Sequence, residues 1–179
     1  MMVDFFRKLC NAIDGVNKVV GSIVSWAALV VVLVVFIDVV MRYAFNTSYV
    51  FMQELEWHLF AFIFLVGAGY TLYKDGHVRV DLFYQKLGNK GKAWINFIGT
   101  LLFLIPGCYL IIATSYKFAH TSFLNLEGSP DPGGIPYRFI IKSAIPIGYV
   151  LLLLQGIAMG IRSFFTIIGK DLDPKQEEA

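Results

Sequence analysis

Few residues in this chain could do chemistry, and most of them stand at the edge of apolar sequence. In VVFIDVVMRYAF, residues 34–45, an acid and a base lie four apart inside the end of a long apolar run: Asp38 and Arg42. Four residues is about one helical turn, so the two share a face. Glu54 follows after a short polar connection and would sit at similar depth if the chain turns back there. Arg42 then has three carboxylates to choose from: Asp38 in its own helix, Glu54 across the hairpin, or an acid on another protein. Its remaining option is to snorkel to the headgroups. Charges at this depth rarely face lipid, so the protein contacts are the expected ones.

Catalytic arrangements are harder to build. Glu54 and Glu56 are two apart, which on a helix points them in different directions and makes a poor acid–base pair. The three histidines are His58, His77 and His120. A bis-histidine haem needs two at matched depth on facing helices, and only His58 lies near an apolar span. Zinc-protease, nucleophile-elbow and phosphate-loop spacings do not occur. Cys10 and Cys108 have no CxxC spacing and read as free, packed thiols. Neither an enzyme nor a resident cofactor or metal is expected.

The elements that position these residues are set by composition. The chain has 179 residues, of which 57% are hydrophobic and 16% charged. Soluble domains carry roughly a quarter charged residues, so the surplus apolar surface implies lipid. A net charge of +2 without a basic stripe gives nucleic acid no purchase. A membrane-crossing helix needs about 20 mostly apolar residues. Four such spans are predicted, at about 19–41, 53–73, 93–116 and 139–165, in a four-helix membrane domain over residues 1–170. The first is too long to be a cleaved signal peptide and lacks a small-residue cleavage site. The polar tail, residues 171–179, is expected to be disordered. The fold class is all-α integral membrane.

Eleven Lys and Arg residues fall in the N-terminal segment, the middle connection and the C-terminal end, against four on the opposite side. The positive-inside rule then places both termini in the cytoplasm. Two short interfacial amphipathic helices are predicted. One presents Phe6, Leu9, Ile13 and Val16, and the other Val80, Phe83, Tyr84 and Leu87, with Asp81 placed to cap it. The longest connection, about 117–138, contains SPDPGGIP, which is too rich in turn formers to be helix. Pro106 and Pro146 interrupt the third and fourth spans and mark a binding site or, in the preferred reading, packing kinks. The spans carry no central ionisable residue of the kind that proton-coupled carriers use. They do carry small-residue faces, Gly67 with Gly69 and Gly156 with Gly160, that let another backbone approach closely. Association faces without a transport site read as an accessory subunit.

Three stretches together carry a resemblance: RYAFNTSYVFMQELEW, FLVGAGYTLYKDGHVRVDLF and EGSPDPGGIPYRF. With four spans in order, nearly the whole chain resembles the small (Q-type, DctQ-like) membrane subunit of tripartite ATP-independent periplasmic (TRAP) transporters. The SPDPGGIP loop resembles the branch labelled mannitol/chloroaromatic, whose relatives are associated with 2-oxo or 2-hydroxy carboxylates. The chain departs from the family pattern where Phe51 replaces a Trp and Gln53 replaces the first of two acids, leaving Glu54 alone.

The resemblance implies an inner-membrane complex. A large elevator-type subunit, which would bind the driving sodium, moves the solute. A soluble periplasmic protein delivers it, and the small subunit braces the large one. On this view Asp38, Arg42, Glu54, Gly67 and Gly69 serve the hairpin and the subunit interface. His77, Arg79 and Asp81 organise the cytoplasmic turn, and Glu127, Asp131 and Arg138 are candidates for docking the binding protein. The rival readings are a small multidrug-type exporter, for which Asp38 lies too near a helix end, a haem-bearing anchor of a redox complex, and a purely structural membrane protein with no transporter partner.

Overall fold

The computed structural model describes residues 2–76, 84, 86–170 and 172. It contains four long helices: α1 (Met2–Ala44), α2 (Val50–Tyr73), α3 (Asn89–Leu124) and α4 (Phe139–Ile167). All four are long and apolar enough to cross a membrane. The described residues contain no strand. The run VVVLVVF in α1 is rich in β-branched residues, which favour strands in water. In hydrocarbon every backbone N–H and C=O must be satisfied within the segment, and a helix achieves this locally.

The predicted spans are all present, but two helices extend further. The third runs from residue 89 to 124 rather than from 93 to 116. The first begins at Met2. At about 1.5 Å per residue its 43 residues reach about 65 Å, roughly twice the hydrocarbon thickness. The expected N-terminal surface helix is therefore the projecting third of α1. Cys10, Ile13, Asp14 and Asn17 form its buried stripe. The Cys10 thiol lies 3.8 Å from the Ala158 carbonyl, and the Phe6 ring packs on Phe165. Of the predicted apolar face, Phe6 and Ile13 thus pack within the bundle, while Leu9 and Val16 stay exposed. The second amphipathic helix, the polar tail, and His77, Arg79 and Asp81 fall on or around residues outside the described set.

α4 is the hub and packs against all three other helices. A third of its most apolar window is buried, against 6% for α1, which packs on α2 and α4. The small-residue faces make these approaches possible. A methyl added to Gly69 would strike the Asn17 side chain and come within 3.1 Å of the Leu151 carbonyl. One added to Gly148 would collide with the Leu65 carbonyl. Gly67 seats Val24, and Gly156 and Gly160 seat Leu104 and Thr100. These close approaches are to helices of the same chain.

Pro106 follows a π-helical turn, Thr100–Leu104, whose wider winding accommodates the missing N–H. Pro146 lies inside an otherwise continuous α4. Each helix stops with a left-handed residue: Asn46, Asp75, Leu126 and Gly169. After α4 the Lys170 N–H donates to the Phe165 carbonyl and the Gly169 N–H to the Thr166 carbonyl. This double bond pattern caps the last carbonyls and needs a positive φ, which glycine adopts without strain.

Candidate functional site

Polar side chains gather at the two ends of the bundle. At the end formed by the projecting part of α1 and the last turns of α4, a chain of side-chain bonds crosses between helices. Arg162 donates to both Asp14 oxygens, at 2.7 and 3.3 Å. Gln155 Nε2 donates to Asp14 Oδ1 at 2.9 Å, and Asn17 Nδ2 donates to Gln155 Oε1 at 2.9 Å. Helical spacing brings this about: Asp14 and Asn17 are three apart, and Gln155 and Arg162 are seven apart, so each pair shares a face. A forked guanidinium on a carboxylate is the strong, orientation-fixing form of ion pair. The chain also closes here through Arg7, whose Nε donates to the Leu172 carbonyl at 2.8 Å.

The opposite end carries the two connections, residues 45–49 and 125–138. Arg42 pairs with Asp38 in its own helix. Asp38 is only 2% exposed, whereas Arg42 is 46% exposed. The second Asp38 oxygen, Oδ1, is buried without a hydrogen-bond partner. The link from Arg42 to Glu54 that the hairpin spacing allowed is not made. The 125–138 loop takes Glu54 instead. Ser129 Oγ donates to Oε1 and the Ile135 N–H donates to Oε2.

The SPDPGGIP stretch is shaped for this contact. The Ser129 N–H donates to the Ile135 carbonyl, the Asp131 N–H to Ser129 Oγ, and the Gly134 N–H to the Asp131 carbonyl. Gly133 holds φ +82°, and a methyl on Gly134 would fall on Ser129 and on Glu54 Oε2. The turn-rich motif is thus a small backbone receptor closed over one carboxylate of α2.

The other predicted loop residues divide. Glu127 pairs with Lys142, whose Nζ also lies 4.1 Å from the Phe118 ring centre. The Lys142 ammonium holds the Glu127 carboxyl below its ordinary value. The Arg138 N–H donates to the Glu127 carbonyl at 2.7 Å, and its guanidinium lies 5.5 Å from the Trp57 ring centre. Both residues are engaged within the chain. Asp131 is exposed on the outside of the turn. His58 Nδ1 meets the Glu54 carbonyl at 2.6 Å, and His120 stacks on Tyr116.

The spacing argument missed Asp14, Asn17 and Gln155. A signal was present in the lone Gln of LLLLQGIAMG and in Arg162 two turns further on.

Residues 31–166 match the DctQ component family of tripartite ATP-independent periplasmic transporters. A protein of Haemophilus influenzae, provisionally named a TRAP transporter small permease protein, is 30% identical over 141 residues. The aligned region covers 76% of this chain and 85% of that protein.

Proposed function

Because the chain belongs to the DctQ component family of TRAP transporters, we propose that this small permease subunit is the fixed brace of its complex. It holds the large membrane subunit through the open flank of α1 and moves no solute itself. One observation carries the reading: α1 is the helix its own chain covers least, and Arg42 lies half-exposed at one end of that flank. Leu33 and Phe36 are exposed along it, on the half of α1 nearer Arg42. Arg42 has five N–H donors and spends one of them on Asp38. The rest suit an acid on the large subunit. Asp38 keeps Arg42 oriented, while Gly67, Gly69 and Glu54 hold the chain's own fold behind that face.

The finer roles follow the family resemblance. The large subunit would bind sodium and couple its gradient to uptake of an organic acid, of the 2-oxo or 2-hydroxy class that the SPDPGGIP branch suggests. The complex would lie in a bacterial inner membrane, with both termini cytoplasmic as the basic residues favour. His77, Arg79 and Asp81 would order the cytoplasmic turn. The periplasmic binding protein would meet the loop at Asp131, with Glu127 and Arg138 shaping the surface beneath.

The test is co-expression with the large subunit and binding protein encoded beside it, with uptake measured with and without this chain. Arg42→Ala should lower the yield of co-purified large subunit and lower uptake with it. Normal yield and uptake in that variant, or solute flux through vesicles holding this chain alone, would overturn the proposal.

A further inference from the structure

Between α1 and α2, at the end where Asp14 meets Arg162, a groove of about 570 Å³ opens sideways. Its lining is graded along the helix axis. Lys18 and Lys74 stand at the top, their Nζ atoms 5.2 and 5.6 Å from the centre of the same Tyr73 ring. Ser22 and Ser25 come next on α1, about 6 and 10 Å below Lys18 at the helical rise. Trp26 and Leu29, both exposed, form the lowest part, with Leu29 about 16 Å below Lys18. Lys18, Ser22, Ser25 and Leu29 are four, seven and eleven residues apart, which keeps them on one stripe. The floor exists because Gly21 has no side chain: the Tyr70 ring lies where its methyl would be.

Among the described residues no carboxylate lines this groove. Asp14 pairs with Arg162 while still lying within electrostatic reach of Lys18, and Asp75 lines a separate cavity. Two cations, then hydroxyls, then apolar rings and branches reproduce the order of phosphate, ester and acyl chain in a glycerophospholipid. Basic recesses between membrane helices at headgroup depth favour anionic lipids.

We propose that this groove binds one anionic glycerophospholipid. The phosphate sits between Lys18 and Lys74, the glycerol esters lie beside Ser22 and Ser25, and a chain runs over Trp26 and Leu29. The site depends on membrane insertion and not on the transporter reading above.

Native mass spectrometry of the detergent-purified full chain tests it. The probes are phosphatidylglycerol, phosphatidylcholine with the same chains, and inorganic phosphate. Phosphatidylglycerol should bind several-fold more tightly than phosphatidylcholine. Lys18→Gln with Lys74→Gln should erase that preference, while Lys18→Arg with Lys74→Arg keeps it. Ser22→Phe, which leaves the charge untouched, should block the adduct by filling the groove. Equal binding of the two lipids, or an undiminished preference in the glutamine variant, overturns the site. Displacement of phosphatidylglycerol by inorganic phosphate alone would show a free-anion site and overturn the lipid assignment.

Discussion

The two ends of the bundle solve the same problem differently. Each must hold a carboxylate at a helix that borders lipid. At one end Asp14 receives a full counter-charge from Arg162 and a further bond from Gln155. At the other, Glu54 receives a hydroxyl and a backbone N–H from a turn. The first arrangement joins two helices that are distant in sequence, so losing it strikes the packing of α1 on α4. The second joins a helix to a loop, so losing it releases the loop and leaves the helices in place. On this contrast the ion pair between helices should carry global stability, and the neutral receptor should shape a surface.

Four experiments could break that contrast, starting with the largest effect. Arg162→Leu leaves Asp14 buried without its cation and should cost about 3–5 kcal/mol, the usual penalty for halving a buried pair. The midpoint of unfolding of the purified chain reads this. Adding Asp14→Leu should restore most of the loss, because two apolar side chains need no counter-charge. Glu54→Gln should act locally, with several-fold faster protease cutting between residues 125 and 138 and little change in the unfolding midpoint. Gly134→Ala should do the same, since its methyl lands on the same carboxylate. If Glu54→Gln lowers the midpoint as far as Arg162→Leu, the two ends are not different in kind.

Gly169→Ala tests the stop of α4 and should cost about 1 kcal/mol, because alanine resists a positive φ. The smallest effect is a pH dependence at the loop end. The Glu127 carboxyl is held below its ordinary value of 4.5 by Lys142. A lowered folded value contributes stability above the unfolded value, and that stability is lost as pH falls through the folded one. Trp57 fluorescence, which Arg138 overlies, should therefore shift only on acidification below about pH 4.5. Glu127→Gln should flatten that shift.

Hydropathy made the four spans legible because lipid crossing is a local property of sequence. Glu54 was legible as a lone carboxylate, once Gln53 and Phe51 left it without the expected neighbours. Its partners were not, since Ser129 and Ile135 lie 75 and 81 residues away. A folded turn brings them in, and composition does not encode a register. Asp14 and Asn17 were hidden for another reason. Neither belongs to the apolar face predicted for the N-terminal helix, and only the arrival of Gln155 and Arg162 turns their side inward. Gly67 and Gly69 promised a close neighbour without saying whose; Val24 and Leu151 of the same chain stand there.

The great length of α1 gives the molecule a foot and a mast. The foot is bolted to α4 where Asp14 and Arg162 meet, and the mast stands with most of its apolar surface bare. A pull on the mast by a neighbour in the membrane is therefore shared between that bolt and α2, which packs along the mast at Gly21 and Gly67. Slackening the bolt would leave α2 to carry that load alone.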